Sequence, residues 1–294
     1  MNGILLIHKP PQWTSHDVVA KVRGILHEKQ IGHLGTLDPL ATGVLPLAVG
    51  IATRLIEFSS FSKEYVATCL LGKTTDSCDV SGKILSETDI SNLLEEKIRC
   101  EVLKLRSVTE QIPPMVSAVR SNGQKLYELA RQGLVVERKP RPVQIEEVEV
   151  IRIEIPRVMF RAVVSAGTYV RVLCETLGEA LGVGGCMESL ERTRVGPFLI
   201  AQSQTLEQVK LKVEVGDFSG LLLPPSLLVQ HLPKVELDDK YIGELCLGKK
   251  INLPVRAPGI YRVLRGDGRL CVIGETLDGL ELKPKKVFGV EGLQ

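Results

Sequence analysis

An excess of either charge is lacking in this 294-residue sequence: 37 Lys and Arg stand against 35 Asp and Glu, a net charge of +2. That balance excludes a protein that grips a polyanion by bulk charge, so any basic surface must come from local clusters. Paired cysteines are also missing. Cys69, Cys78, Cys100, Cys174, Cys186, Cys246 and Cys271 are odd in number, dispersed and never spaced C-x-x-C. This excludes a disulfide framework and a zinc ribbon and points to a reducing cytosol. No stretch reaches the ~18 apolar residues of a membrane span. The opening MNGILLIHKPPQW has too short an apolar run, and too early a charge, for a secretory signal. A soluble, cytoplasmic protein without a membrane partner is expected. Internal repeats and low-complexity tracts are absent, while 44% hydrophobic residues suffice for a core.

The apolar pattern predicts a mixed α/β order. Residues 4–7 form a buried strand stopped by Pro10 and Pro11, and Ser15 caps a helix with Val18, Val19, Val22, Ile25 and Leu26 on one face. Strands follow at 44–49, at KEYVATCLLG and around Ile84, then a helix at ISNLLEEKIR. Residues 113–142 form an excursion between proline pairs, enclosing a short helix that Gly133 stops. Its cations Arg120, Lys125, Arg131, Arg138, Lys139 and Arg141 offer an RNA-gripping surface or a solvated loop. After a strand at 158–165, a helix carries Val170, Leu173, Leu177, Ala180 and Leu181 on its buried stripe. Arg171 falls in its first turn, off that stripe. A cation there opposes the helix dipole, so an anionic partner is expected beside it. From Leu221 the chain becomes proline-punctuated and then a run of short strands, which predicts a separate small β-barrel.

The segment GHLGTLDPLATG, residues 32–43, is the most irregular polar stretch next to a core element. Asp38 before Pro39 is the usual opening of a short helix, Asp as cap and Pro in the first turn. Gly32, Gly35 and Gly43 allow a different use, with the backbone close to a ligand and the carboxylate aimed outward. His33 taken alone is a surface or packed histidine.

GHLGTLDPLATGVLP closely resembles the catalytic motif of the TruB-type tRNA pseudouridine-55 synthases. The match continues in register through HKPPQWTSHDVV, KEYVATCLLG, PPMVSAVRSNGQKLYELARQG, GTYVRVLCETLGEALG and ESLERTRVGPF. The tail, with LGKKI, RLCVIGE and ELKPKKVF, is similar to the RNA-binding PUA barrel that ends these enzymes. The resemblance implies an α+β fold. A catalytic domain at residues 1–229, on a mixed, largely antiparallel sheet with flanking helices, would carry a thumb-like insertion at about 113–142. A PUA-like β-barrel would occupy 230–294. It also implies an isomerase that converts the T-loop uridine at tRNA position 55 to pseudouridine by base flipping, without metal or cofactor. Such an enzyme acts as a monomer on the T arm, with no obligate protein partner.

Residue by residue, Asp38 matches the nucleophilic aspartate and Arg171 the arginine paired with it, which would be the anion-cation contact the helix dipole calls for. Tyr65 matches a tyrosine against the target nucleotide, able to stack on it or to relay a proton at C2′. Tyr169 and Leu190 match residues lining the uracil pocket, Lys9 the basic residue of the first motif, and His33 the group that fills the space vacated by the flipped base. Gln12 replaces the usual Gly, Leu34 a common Thr, Val116 a frequent Tyr and Arg120 a common Lys.

Three alternatives fit parts of the pattern. A guide-dependent synthase of archaeal and eukaryotic type shares the motif but works inside a ribonucleoprotein. An RNA-binding module with a vestigial site has no need for Asp38, Tyr65 and Arg171 together. A hydrolytic glycosidase requires two carboxylates, and no second carboxylate in the motifs is an obvious partner for Asp38.

Overall fold

The computed structural model describes residues 1–293 except 118, 122 and 254–256, and of residues 120, 121 and 131 the backbone alone. One eight-stranded sheet organises the first three quarters of the chain. Its strands are β1 (Gly3–Lys9), β2 (Ile31–His33), β3 (Thr42–Val49), β4 (Lys63–Leu71), β5 (Ile145–Glu154), β6 (Arg157–Val164), β7 (Gly185–Val195) and β8 (Phe198–Leu199). The order is β1-β3-β7-β4-β6-β5, with β2 on β3 and β8 on β7. All pairings are antiparallel except β3 with β7, where Glu191 faces Thr42 and Arg192 faces Gly43.

β1 and β3 read as unbroken apolar runs because both of their faces are buried. Leu5, Ile7, Leu45 and Leu47 enter a core shared with the helices, whereas Ile4, Leu6, Val44 and Ala48 enter a second core beneath the 3-10 helix Gly50–Phe58. Toward the β5 edge the outer face carries charge instead: Arg161 on β6 meets Glu64, Glu147 and Glu149 at 2.9, 2.8 and 3.2 Å.

The helices are α1 (Ser15–Leu26), α2 (Glu95–Lys104), α3 (Leu126–Arg131), α4 (Val170–Leu181), α5 (Leu206–Glu214) and α6 (Asp239–Cys246). α1, α2, α4 and α5 cover the first core. The cap of α1 is Thr14, not Ser15: Thr14 and Asp17 form a reciprocal capping box, which leaves Ser15 free for another task. α2 begins at Glu95, later than the pattern suggests, because Ser91 bonds back to Asp89 and Leu93 to Ile90, fixing turns there. On α4 the buried stripe passes through Cys174 and Gly178, and Ala180 is exposed.

The excursion is rooted by a two-residue antiparallel pairing, Arg141 with Gln111 and Pro142 with Glu110. Of its cations, Arg138 donates to the Pro113 carbonyl at 3.1 Å and Lys125 lies over the Tyr127 ring at 5.4 Å, while the side chains of Arg120 and Arg131 lie outside the described residues. The tail folds as a sheet of its own, β9 (Lys234–Glu236), β10 (Ile251–Asn252), β11 (Gly259–Leu264), β12 (Leu270–Thr276) and β13 (Glu281–Val287), in the order β9-β11-β12-β13-β10. Helix α6, which the strand-rich pattern does not anticipate, packs into this unit through Ile242 and Leu245. Leu264, Leu270 and Ile273 also join Leu55 and Phe58 in the second core, so the tail packs against the 3-10 helix Gly50–Phe58. No helix among the described residues is long and apolar enough to cross a membrane.

Candidate active site

The segment between β2 and β3 owes its shape to three groups beneath it. Ser15, at the start of α1, accepts from Leu37 N at 2.8 Å and donates to Leu37 O at 3.2 Å. Arg192, fully buried on β7, donates to the carbonyls of Val44 (2.9 Å), Gly35 (3.2 Å) and Thr36 (3.4 Å). Lys9, fully buried at the end of β1, donates to Pro10 O, Trp13 O and Pro39 O at 2.9, 2.6 and 3.2 Å. Burial lowers the Lys9 ammonium to about 8. Asp38 and Pro39 do not open a helix: Ala41 N donates to Asp38 O at 3.0 Å, closing a turn that presents the carboxylate. Gln12 N reaches Pro39 O at 2.8 Å from a backbone at φ +66°, which explains why glycine is the easier residue at that position.

Gly43 is the tightest point of this frame. Its φ is +105° and a Cβ there would lie 2.2 Å from the Arg192 carbonyl oxygen. Gly43→Ala is therefore expected to cost about 3 kcal/mol or more, read as a lowered urea midpoint at unchanged m.

α4 brings the cation. Tyr169, the N-cap residue, offers no side-chain bond to the helix, and Gln111 fixes its backbone instead: Tyr169 N donates to Gln111 Oε1 at 2.9 Å and Gln111 Nε2 donates to Tyr169 O at 3.2 Å. Two residues on, Arg171 is 2% exposed, contrary to its expected place off the buried stripe. Its Nη2 donates to Asp38 Oδ1 at 3.3 Å, and its Nε stands 2.9 Å from Oδ2, an ion-pair contact without hydrogen-bond alignment. Nη1 donates to Ser77 O (3.1 Å) and Asp79 Oδ2 (3.4 Å), and Nη2 also to Val116 O (2.8 Å). Three chain segments thus fix one guanidinium.

Asp79 is the second carboxylate absent from the motif comparison. It lies behind the arginine, buried, with Oδ1 accepting from Ser77 Oγ (2.8 Å), Ser81 N (3.0 Å) and Ser81 Oγ, so it does not line the cavity. A serine on either side of an aspartate, each able to bond back to it, was the available signal. The arginine between the two carboxylates and the burial of one do not match a glycosidase pair with water between them.

In front of Asp38 opens a cavity of about 240 Å³ whose wall includes Tyr65, Tyr169, Arg171 and Leu190, together with Lys63 and Ser117. The Tyr65 hydroxyl has no hydrogen-bond partner among the described residues, and the buried Ser117 hydroxyl has none either. Burial pushes the Asp38 carboxyl up from its usual 3.8, and the Arg171 guanidinium pulls it back. The side chain keeps 32% of its exposure, so solvent and guanidinium together offset part of the desolvation, and the net direction remains upward.

Lys9 and His33 do not line the cavity. Lys9 spends its ammonium on the carbonyls of Pro10 and Trp13 after β1 and of Pro39 next to Asp38. His33, half-buried on β2, accepts from Gly35 N at 3.3 Å through Nδ1, and burial holds its imidazole below the usual 6.5. Among the described residues no cluster of His, Cys, Asp and Glu is arranged to hold a metal ion.

A model of the TruB family pseudouridylate synthase N-terminal domain matches residues 23–170, and one of the tRNA pseudouridylate synthase B C-terminal domain matches residues 171–224. This chain belongs to the TruB pseudouridylate synthase family. It is 42% identical over 296 residues to the tRNA pseudouridine synthase B of Heliobacterium mobile, covering 98% of this chain and 95% of that protein. With the tRNA pseudouridine synthase B of Clostridium tetani it shares 37% over 288 residues, 96% and 98% of the two chains. Among solved structures, a Cbf5-Nop10-Gar1 complex superposes with a TM-score of 0.77 at 29% identity, over 97% of this chain and 84% of that one. An H/ACA RNP bound to a substrate RNA containing 2′-deoxyuridine gives 0.74 at 28%, over 97% and 84%. The junction of the two TruB family models, at 170/171, falls beside the site itself, between Tyr169 and Arg171.

Proposed function

We propose that this protein isomerises the T-loop uridine at position 55 of tRNA to pseudouridine, with Asp38 as nucleophile and no cofactor. The observation that carries this is Asp38 held by Arg171 in the wall of a cavity that also presents Tyr65, Tyr169 and Leu190. The flipped uridine enters with its ribose toward Asp38. The C1′–N1 bond breaks while the carboxylate carries the sugar, the uracil turns, and C1′ bonds to C5; the hydrogen lost from C5 is balanced by a proton gained at N1. Tyr65 lies against the nucleotide with a free hydroxyl for the proton transfer, and His33, on the strand feeding the loop, fills the vacated space in the RNA. Lys9 supports rather than contacts the substrate, by holding Pro39.

Residues 1–229 form the catalytic domain, with the excursion at 113–142 as a thumb that also supplies the Val116 carbonyl to Arg171. Residues 230–294 form a PUA-like barrel that binds tRNA, a division supported by the tail's separate sheet and its own apolar core. The protein acts in the cytoplasm as a monomer. Its greater identity to tRNA pseudouridine synthases B than to the solved H/ACA chains favours free tRNA over a guided substrate. Mapping pseudouridine in unmodified tRNA after incubation with the pure protein, without guide RNA, tests the proposal; no product at position 55 rejects it.

The ionised Asp38 is the reactive form, so the single-turnover rate is expected to fall as pH drops through its raised pKa. The acid limb therefore lies above 3.8. In Arg171→Met the limb moves further up, because the opposite charge that favours ionisation is gone. A limb at or below 3.8 in the wild type, or unmoved in the variant, contradicts this.

Tail cations differ in what they can offer RNA. Lys250, Lys285 and Lys286 pair with Glu281 (3.7 Å), Glu275 (2.9 Å) and Glu57 (2.8 Å), and Arg256 lies outside the described residues. Lys249 and Lys283 have no ion pair among the described residues. Replacing both by Gln is expected to flatten the salt dependence of tRNA binding by about 1.4 to 1.8 in log–log slope, with the saturated single-turnover rate unchanged. An unaltered slope removes these lysines from the interface.

A further inference from the structure

Three cations surround the backbone of residues 35–39, and they are answered differently. Lys9 and Arg192 are fully buried and their donors end on carbonyl oxygens. Lys63, the first residue of β4, is half-buried on the cavity wall, and its ammonium has no hydrogen bond or ion pair among the described residues. No carboxylate pairs with any of the three, since Asp38 and Asp79 both lie on Arg171. The position is built: a Cβ on Gly35, at φ +139°, would lie 3.1 Å from Lys63 Cε and 3.4 Å from Nζ, so the lysine runs along a glycine backbone. Burial and the nearby Arg192 lower this ammonium to about 8, the response of a cation short of an anion.

We propose that Lys63 receives a phosphodiester oxygen flanking the target uridine as the nucleotide enters the cavity. This rests on RNA uridine being the substrate, and it assigns the group that meets the backbone at the site of reaction. A nucleotide brings one phosphodiester charge. Asp38 and Asp79 already occupy Arg171, which leaves Lys63 as the unanswered cation on that wall. A charge-assisted contact of this kind is worth about 10- to 100-fold in half-saturation.

The test uses the full-length protein with short T-arm hairpins, in which the phosphate 5′ or 3′ of the target uridine is native or a neutral methylphosphonate. Single-turnover rates are measured against enzyme concentration for wild type, Lys63→Met and Lys63→Arg. Lys63→Met is expected to raise the half-saturating concentration about 10- to 100-fold, with Lys63→Arg restoring most of the loss. One of the two methylphosphonates should weaken the wild type equally and leave Lys63→Met no weaker. Losses that add at both phosphates, or a Met variant that saturates like the wild type, overturn the assignment while pseudouridine formation by the wild type still stands. If the wild type forms no pseudouridine in the native hairpin, the isomerase reading fails, and this contact with it.

Discussion

Asp38→Asn is expected to lower the single-turnover rate on tRNA at least ~10⁴-fold while leaving tRNA affinity essentially unchanged. The amide keeps the size of the carboxylate, and its oxygen can still accept from Arg171, so the cavity wall is preserved. What disappears is the charge that bonds to the sugar. Stability should not fall. The Asp38 carboxyl sits above its usual 3.8 in the folded state, so its ionised form opposes folding, from the onset of ionisation near 3.8 to its full extent above the folded value. A neutral amide relieves that cost, and Arg171 retains Asp79 at 3.4 Å. Binding, rate and denaturation midpoint should therefore separate cleanly. Turnover by the Asn variant, with deamidation excluded by mass spectrometry, would strip Asp38 of its role, and a collapse in midpoint would show that the charge is structural.

Arg171→Lys should slow the saturated single-turnover rate about 10²- to 10³-fold despite keeping the charge. The guanidinium contacts Asp38, Asp79, Ser77 O and Val116 O at once from a buried position. An ammonium has three donors on a shorter, unbranched end and cannot span both carboxylates and two carbonyls. Asp38 then loses its fixed orientation. Arg171→Met, which leaves two carboxylates facing each other without a cation, should also destabilise the fold by about 3 to 5 kcal/mol. Lys and Met are distinguished by stability and rate together. A Lys variant with wild-type rate would mean that charge alone matters, and a Met variant with wild-type stability would mean that the buried network carries no folding energy.

Much of this protein was determined by local sequence. Alternation and apolar runs placed β1, β3, β4 and β6, glycine stopped α3 at Gly133, and the unfavourable cation at the start of α4 called for an anion that proved to be Asp38. Such signals are readable because they depend on neighbours within a few residues: side-chain period, φ sign and helix dipole. Of the residues that the motif resemblance implies, Asp38, Tyr65, Tyr169, Arg171 and Leu190 share one cavity wall, and Lys9 and His33 lie off it.

Only the tertiary structure decided the rest. That Ser15, a poor loser of the capping role to Thr14, instead pins Leu37 depends on α1 lying under a loop 22 residues away. Lys9 and Arg192 read as solvated cations in any local window, yet both are fully buried, because the turning backbone of residues 10–13 and 35–44 leaves carbonyls that need donors. Asp79 joined the site, and Lys63 its wall, only when β4, α4 and the 77–81 turns came together. Periodicity reports which face of an element is apolar. It carries no information about which distant carbonyl or carboxylate will meet a buried charge, and that pairing is what sets the chemistry here.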